Sequence, residues 1–257
     1  DTFGFNVETL IFNSRRENNE NELRLYKRVS NLRKMSVYDI LSKGSMKLWS
    51  YINKKELIES NTIRTDIFKR FTNDYIRETE YSLSNNNIPE SLSEKYDYFI
   101  TGSDQVWNPA YNKSSSIYFL TFASKEKRIA YAPSFGVSEI RDEFIDRYKE
   151  WISGIDKLSV REYDGAKIIK NLIGVEVPVL IDPTMLLTES QWNEIAKEPK
   201  YKPNERYLLT YFLGKTPKEY NKKIKRITKS NNLKVVKLGD IKEKETYRTG
   251  PSEFLSY

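Results

Sequence analysis

The stretch Tyr96-Asp97-Tyr98-Phe99-Ile100-Thr101-Gly102-Ser103-Asp104 decides the fold class. Its aromatic and β-branched residues form a short apolar run typical of a strand, and that run ends in small polar residues. Later segments repeat the pattern, with apolar runs at residues 128–132, 157–160 and 177–181. Helices are predicted between them at residues 138–153 and 164–172, the second ended by Gly174. Alternating strands and helices predict an α/β protein with a parallel sheet.

A second strand series begins further along the chain. Ser190 is predicted to cap a short helix, and the prolines around residues 199–203 mark a linker. Apolar runs at 207–212 and 233–238 then flank Gly214 and a basic helix. We therefore predict two α/β domains, residues 1–198 and residues 199–257, the second of them incomplete.

The region before Tyr96 is less regular. Residues 7–12 alternate as a strand would, and residues 15–91 are charged and are predicted to be helical, with apolar residues at helical spacing between Ile63 and Phe71. A strand this close to the first residue suggests that an earlier strand and helix are missing. We expect the natural protein to extend about 20–40 residues before Asp1 and beyond Tyr257 far enough to complete a domain of ordinary size.

Composition narrows the chemistry. The 257 residues include no cysteine and no histidine, which argues against thiolate and zinc chemistry but leaves a carboxylate magnesium site open. The net charge of +7 suits a phosphate-bearing partner, or it reflects a lysine-rich, solubilising surface. No apolar run is long enough to span a membrane, and no nucleic-acid-binding module is present.

The candidate chemistry lies just after the predicted strands, because ligands of open parallel sheets bind at the carboxyl ends of the strands. Gly102-Ser103-Asp104-Gln105, Ser134, Arg161-Glu162 and Asp182 occupy such positions. Each also has a structural explanation, as a cap, a turn residue or an ion-pair partner. Dinucleotide and P-loop glycine motifs and Asp-x-Asp are absent, so these residues alone indicate a two-domain α/β protein that binds an anion.

A family resemblance extends this reading. Residues 96–109, ending in Gly-Ser-Asp-Gln-Val-Trp-Asn-Pro, resemble a segment of bacterial polysaccharide pyruvyl transferases. The segments at 127–136, 159–162 and 181–184 follow in the same order, and residues 250–255 are similar to the family's GPxEF segment. The resemblance covers most of the chain from Tyr96 onward. It implies two Rossmann-like domains of the GT-B type and a catalytic histidine in an SFH-type segment after Tyr257.

The resemblance also implies an activity, the transfer of the enolpyruvyl group of phosphoenolpyruvate to two hydroxyls of one sugar. The acceptor would be a lipid-linked or nucleotide-linked saccharide, and neither a metal nor another cofactor is expected. The protein would be cytoplasmic, in peripheral contact with the inner face of the membrane, and would not bind nucleic acid. Two alternatives stay open: a GT-B glycosyltransferase that uses a sugar nucleotide, and a non-catalytic glycan-binding relative.

The candidate residues fall into two groups. The catalytic candidates are Asp104 and Arg161. The substrate-binding candidates are Gly102, Ser103, Gln105, Trp107, Asn108, Ser134, Asp182 and Gly214.

Overall fold

The computed structural model describes residues 4–12, 53–85, 87–110, 115–214 and 216–257, which form two compact units. The first unit contains residues 4–9, 53–79 and 190–257, and the second contains residues 10–12 and 80–189. Small parallel sheets with helices occur in both units, so the chain is a mixed α/β protein, as its sequence predicts. The predicted domain boundary between residues 198 and 199 stays a prediction.

A parallel sheet organises the second unit. It consists of β3 (Phe99–Thr101), β4 (Arg128–Ala130) and β5 (Lys157–Leu158), in that order. The strands are short, but their parallel pairing places all three carboxyl ends at one edge. The three predicted strands of this region are therefore confirmed, each with shorter bounds.

The fourth predicted strand, residues 177–181, is reduced to a single parallel bridge between Val160 and Val179. Val160 N–H donates to the carbonyl oxygen of Pro178 at 3.1 Å, and Leu180 N–H donates to that of Val160 at 2.8 Å. Pro178 has no N–H of its own, so it cannot extend the ladder. The bridge nevertheless places the loop after it at the same sheet edge.

Two of the helices of this unit pack against its hydrophobic core. They are α3 (Asp142–Ser153), which begins later than the predicted residue 138, and α4 (Tyr163–Ile173), which ends at Gly174 in the left-handed conformation. Their apolar faces join an aromatic core that includes Trp107, Phe119, Phe135, Tyr148, Ile152 and Ile169. The other short elements are α2 (Leu92–Lys95) and 3-10 turns at Ser116–Phe119, Lys125–Lys127 and Pro183–Leu186.

Strands β1 (Thr9–Phe12) and β2 (Glu78–Leu83) form a separate two-stranded sheet. The first confirms the predicted strand at 7–12. The second corrects the helical prediction for residues 15–91, because Thr79 and Leu83 are buried while Glu78, Glu80 and Ser82 are exposed, a period-two pattern. Residues 15–52 and residue 86 of that prediction lie outside the described residues.

In the first unit, α1 (Lys54–Tyr75) supplies the helical part of that region. A second parallel pair, β6 (Tyr207–Tyr211) and β7 (Lys234–Leu238), is joined by the basic helix α6 (Lys218–Asn231). This pair confirms the second strand series. The remaining helices described here are α5 (Glu189–Ile195), α7 (Lys244–Tyr247) and α8 (Pro251–Phe254). Because α5 begins at Glu189, Ser190 lies within the helix, and the prediction that it caps the helix is wrong.

Candidate functional site

Polar loops from four places in the chain meet at the carboxyl edge of the β3–β4–β5 sheet. They follow β3, β4, β5 and the Val160–Val179 bridge, all within the second unit. This is the edge at which open parallel sheets bind their ligands. Hydrogen bonds among Ser103, Arg161 and Asp182 bring three of these loops into contact, and the bond from Ser134 N–H to the Asp104 carbonyl oxygen joins the loop after β4 to them.

Gly102 allows the first loop to leave β3. Its φ is +117°, and a Cβ at this position would overlap the carbonyl oxygen of Tyr131 in the neighbouring loop. Asp104 also has a positive φ, 55°, which aspartate tolerates better than most residues. This conformation leaves the Asp104 carboxylate in solvent, with 86% of its side chain exposed, and keeps its backbone carbonyl oxygen bonded to Ser134 N–H at 2.7 Å.

Arg161 lies between two carboxylates. Its Nη1 donates to Asp182 Oδ2 at 3.1 Å, and its Nη2 lies 3.5 Å from Asp104 Oδ1. The arginine and Asp182 side chains are 29% and 28% exposed, so their ion pair is fixed partly below the surface. The sequence suggested Glu162 as a structural partner for this arginine, whereas the structure pairs it with Asp182 and Asp104.

Asp182 is the most highly bonded carboxylate of the cluster. One oxygen accepts from Ser103 Oγ and from Arg161, and the other accepts from the N–H and the hydroxyl of Thr184, at 3.0 and 2.8 Å. These donors, led by Ser103, lower the pKa of Asp182 to about 2. The carboxylate is therefore ionised near neutral pH, where it accepts the hydrogen bond from Arg161.

The depressed pKa predicts a pH dependence of stability. An unfolded-state pKa of 3.8 and a folded-state value of about 2 mean that the contribution of Asp182 is complete above pH 5 and is lost as pH falls toward 2. Wild type should therefore exceed Asp182→Asn in free energy of unfolding by at most about 2 kcal/mol at pH 6, with a narrowing gap at pH 4 and pH 3.

Urea denaturation at each pH measures that gap. Asp156→Asn is the matched control, since it removes one carboxylate from an exposed ion pair with Lys157 worth about 0–1 kcal/mol. A difference between wild type and Asp182→Asn that stays constant from pH 6 to pH 3 would contradict the assignment.

Glu162 shapes the loop after β4. Its Oε1 accepts from Ser134 Oγ at 2.9 Å and from Phe135 N–H at 3.0 Å, and Ser134 Oγ accepts in turn from Gly136 N–H at 3.0 Å. Ser134, a predicted substrate-binding residue, is buried at 3% exposure. It lies under the site as a supporting residue, and its hydroxyl is already bonded.

Three other candidates follow Asp104 in the chain. Asn108 Nδ2 donates to Gln105 Oε1 at 2.8 Å, and Asn108 Oδ1 accepts from Ala110 N–H at 2.8 Å. The two side-chain amides are therefore bonded to each other and to the backbone of the same turn. Trp107 is fully buried and stacks on Phe119 with ring centroids 5.1 Å apart. The structure therefore places Trp107 in the core and gives its side chain no exposed surface for a ligand. Gly214 belongs to the first unit.

Sequence reasoning placed Glu162 after a predicted strand but did not choose it as a site residue, and it did not single out Thr184. The signal for Thr184 was present, because Asp-Pro-Thr is a sequence in which the aspartate accepts from the N–H two residues on. No local signal indicated the partners of Glu162, which lie nearly thirty residues earlier in the chain.

The described residues contain no group of three or more aspartates, glutamates, histidines or cysteines placed to bind a metal ion. Within the same ranges, no helix is both long enough and apolar enough to cross a membrane.

The model of a family described as polysaccharide pyruvyl transferase matches residues 5–257, nearly the whole chain. No curated protein and no solved structure matches the chain.

Proposed function

The chain belongs to the polysaccharide pyruvyl transferase family and is a transferase, and we propose that it moves the enolpyruvyl group of phosphoenolpyruvate onto one sugar as a cyclic ketal. The family implies a polysaccharide acceptor. Our proposal narrows that acceptor to a lipid-linked or nucleotide-linked precursor of a cell-surface polysaccharide. It also includes a cytoplasmic location, with peripheral contact to the inner membrane face through the basic surface.

The observation that carries this proposal is the fixed guanidinium at the sheet edge. Asp182, itself bonded by Ser103 and Thr184, orients Arg161 through Nη1. The second nitrogen, Nη2, makes a long contact of 3.5 Å with the exposed Asp104. A guanidinium in this position can grip a carboxylate or a phosphate at two points once Asp104 swings away.

The proposed reaction balances without an oxidant or a reductant. A proton adds to the methylene carbon of phosphoenolpyruvate, and one sugar hydroxyl forms a bond to C2 as it loses its own proton. The bond from C2 to the phosphate oxygen then breaks, and phosphate leaves with the bonding electrons. The second hydroxyl attacks C2 and loses its proton, which closes the ketal.

We assign roles to two groups of this site. Arg161 binds the donor's carboxylate or phosphate and stabilises the charge on the departing phosphate. Asp104, exposed and adjacent, accepts a hydroxyl proton after the donor has displaced it from Arg161. Asp182 stays ionised throughout and keeps the guanidinium in place, while Ser103 and Thr184 keep Asp182 in place.

The same proposal extends to the fold. The parallel strands β3–β5 and the parallel pair β6–β7 are, in our proposal, parts of two Rossmann-like domains of the GT-B type. What supports it is that both strand series are parallel and that a helix connects β6 to β7. Such connections are the building units of doubly wound sheets.

The test is a donor assay with the full chain. We expect phosphate release from phosphoenolpyruvate only when a saccharide acceptor is present, and an acceptor product heavier by one pyruvic acid minus one water. Because the sequence has no cysteine or histidine, we expect the same rate after treatment with a chelator. A parallel arm offers sugar nucleotides, and sugar transfer in that arm without consumption of phosphoenolpyruvate would overturn the proposal.

A further inference from the structure

We propose that a groove along helix α1, in the first unit, binds an acidic saccharide. The inference deepens the proposed function, on which it rests, because it assigns a place to the polysaccharide-type acceptor. The groove has a volume of about 510 Å³, within the roughly 300–1,000 Å³ range of small-molecule sites. The residues that line it are Asn61, Arg64, Thr65, Phe68, Lys69, Thr72, Asn73, Glu78 and Tyr247.

The groove is longer than a single sugar ring. Its lining residues on α1 run from Asn61 to Asn73, a rise of about 18 Å along a helix. Tyr247 of α7 lies beside Asn61, to whose side-chain oxygen its hydroxyl donates at 2.6 Å. Glu78 follows the other end of the helix. An elongated groove suits several linked sugars better than one compact ligand.

The side of the groove formed by α7 is fixed to α1 by polar contacts. Arg64 Nη1 donates to the backbone oxygen of Tyr247, and its guanidinium packs against the rings of Phe68 and Tyr247, with centroid distances of 4.7 and 5.1 Å. Arg248 donates to Glu59 and to the buried hydroxyl of Ser60. These contacts preorganise the groove, which reduces the entropy that a ligand would lose on binding.

The residue types on this helix face point to a ligand. Asn61, Thr65, Thr72 and Asn73 are weak helix formers, each costing about 0.5 kcal/mol relative to alanine inside a helix. Solubility alone would be met by lysine or glutamate, which favour helices more. Amides and hydroxyls are instead the groups that exchange hydrogen bonds with sugar hydroxyls. A role in sugar binding therefore accounts for the presence of four weak helix formers on this face of α1.

The remaining groups of the groove define the class of sugar. Phe68 is 40% exposed, and with Tyr247 it offers aromatic surface on which the C–H face of a sugar ring can pack. Arg64 and Lys69 are two cations against the single carboxylate of Glu78. The lining therefore carries one net positive charge and favours a saccharide with a carboxylate, while Glu78 can accept from sugar hydroxyls.

Saturation-transfer NMR and calorimetry on the full chain test the inference with a glucuronate-containing disaccharide and its carboxyl-reduced, neutral counterpart. The acidic disaccharide should bind more tightly, and Lys69→Glu should weaken it by about ten-fold or more. Lys55→Glu is the matched control, because it makes the same change on the same helix outside the groove. Asn61→Leu should weaken both disaccharides, and circular dichroism checks that each variant is folded.

The outcomes separate this inference from the proposed function. No binding of either disaccharide, or equal effects of Lys69→Glu and Lys55→Glu, overturns the groove assignment. Tighter binding of the neutral disaccharide also overturns it. Phosphate release with a small acceptor is measured separately on the same variants, so a failed groove with intact phosphate release leaves the transferase proposal standing.

Discussion

Arg161→Lys should lower kcat/KM for phosphoenolpyruvate by about ten-fold or more, equivalent to a loss of about 1.5–3 kcal/mol. The reason is geometric. Arginine can bond Asp182 through Nη1 and still present a second planar nitrogen to an anion, whereas lysine has one charged atom and must choose between them. Steady-state kinetics with phosphoenolpyruvate as the varied substrate measure the loss.

Stability should change little in the same variant. The Arg161–Asp182 pair is partly exposed and lysine keeps the positive charge, so we expect a cost of about 0–1 kcal/mol. Thermal denaturation therefore distinguishes a site role from a structural one. A folded Arg161→Lys protein with wild-type kinetics would remove this residue from the proposed site.

Two further variants sharpen the test. Arg141→Lys makes the same replacement in an exposed ion pair with Glu143 and should leave the kinetics unchanged. Asp104→Asn removes a negative charge 3.5 Å from Arg161 and should lower KM for the anionic donor while reducing kcat. Opposite shifts in KM and kcat would be difficult to explain by a loss of folded protein.

The clustering of Ser103, Arg161 and Asp182 was predictable, because parallel strands place their carboxyl ends at one edge whatever the details of each loop. Which of these residues pair with one another was not predictable. Adjacent residues such as Arg161 and Glu162 suggest each other as partners, but the structure turns Glu162 toward the loop after β4. Pairing depends on loop directions that a local pattern does not contain.

The prediction of strands from local sequence patterns was limited in a similar way. Strand β2 was missed because its exposed glutamates resemble the charged helix before it, and only burial reveals the period of two. The strand at 177–181 was overestimated because the prediction followed its apolar composition and not Pro178, whose missing N–H shortens the ladder. For β2, tertiary contacts decide the outcome more than local propensity does.

The largest expected loss of stability comes from Trp107→Ala, at about 3–5 kcal/mol. Trp107 has no exposed surface, stacks on Phe119 at a centroid distance of 5.1 Å and donates from Nε1 to the backbone oxygen of Tyr118 at 2.9 Å. Its removal would leave a cavity in the core that supports the loops of the site. A loss of this size is a large part of the roughly 5–15 kcal/mol that stabilises a typical domain.

Trp107→Phe separates support of the site from contact with substrate. Phenylalanine keeps an aromatic ring for Phe119 and Phe135 and gives up the indole N–H and part of the volume, so its cost should be smaller than that of alanine. Urea denaturation of both variants measures the two costs.

The sequence alone suggested that this tryptophan binds substrate, and in that case Trp107→Phe would raise KM with little change in stability. Burial predicts the reverse, a measurable loss of stability with KM for phosphoenolpyruvate close to that of the wild type, because no atom of the ring reaches the surface where the donor would bind.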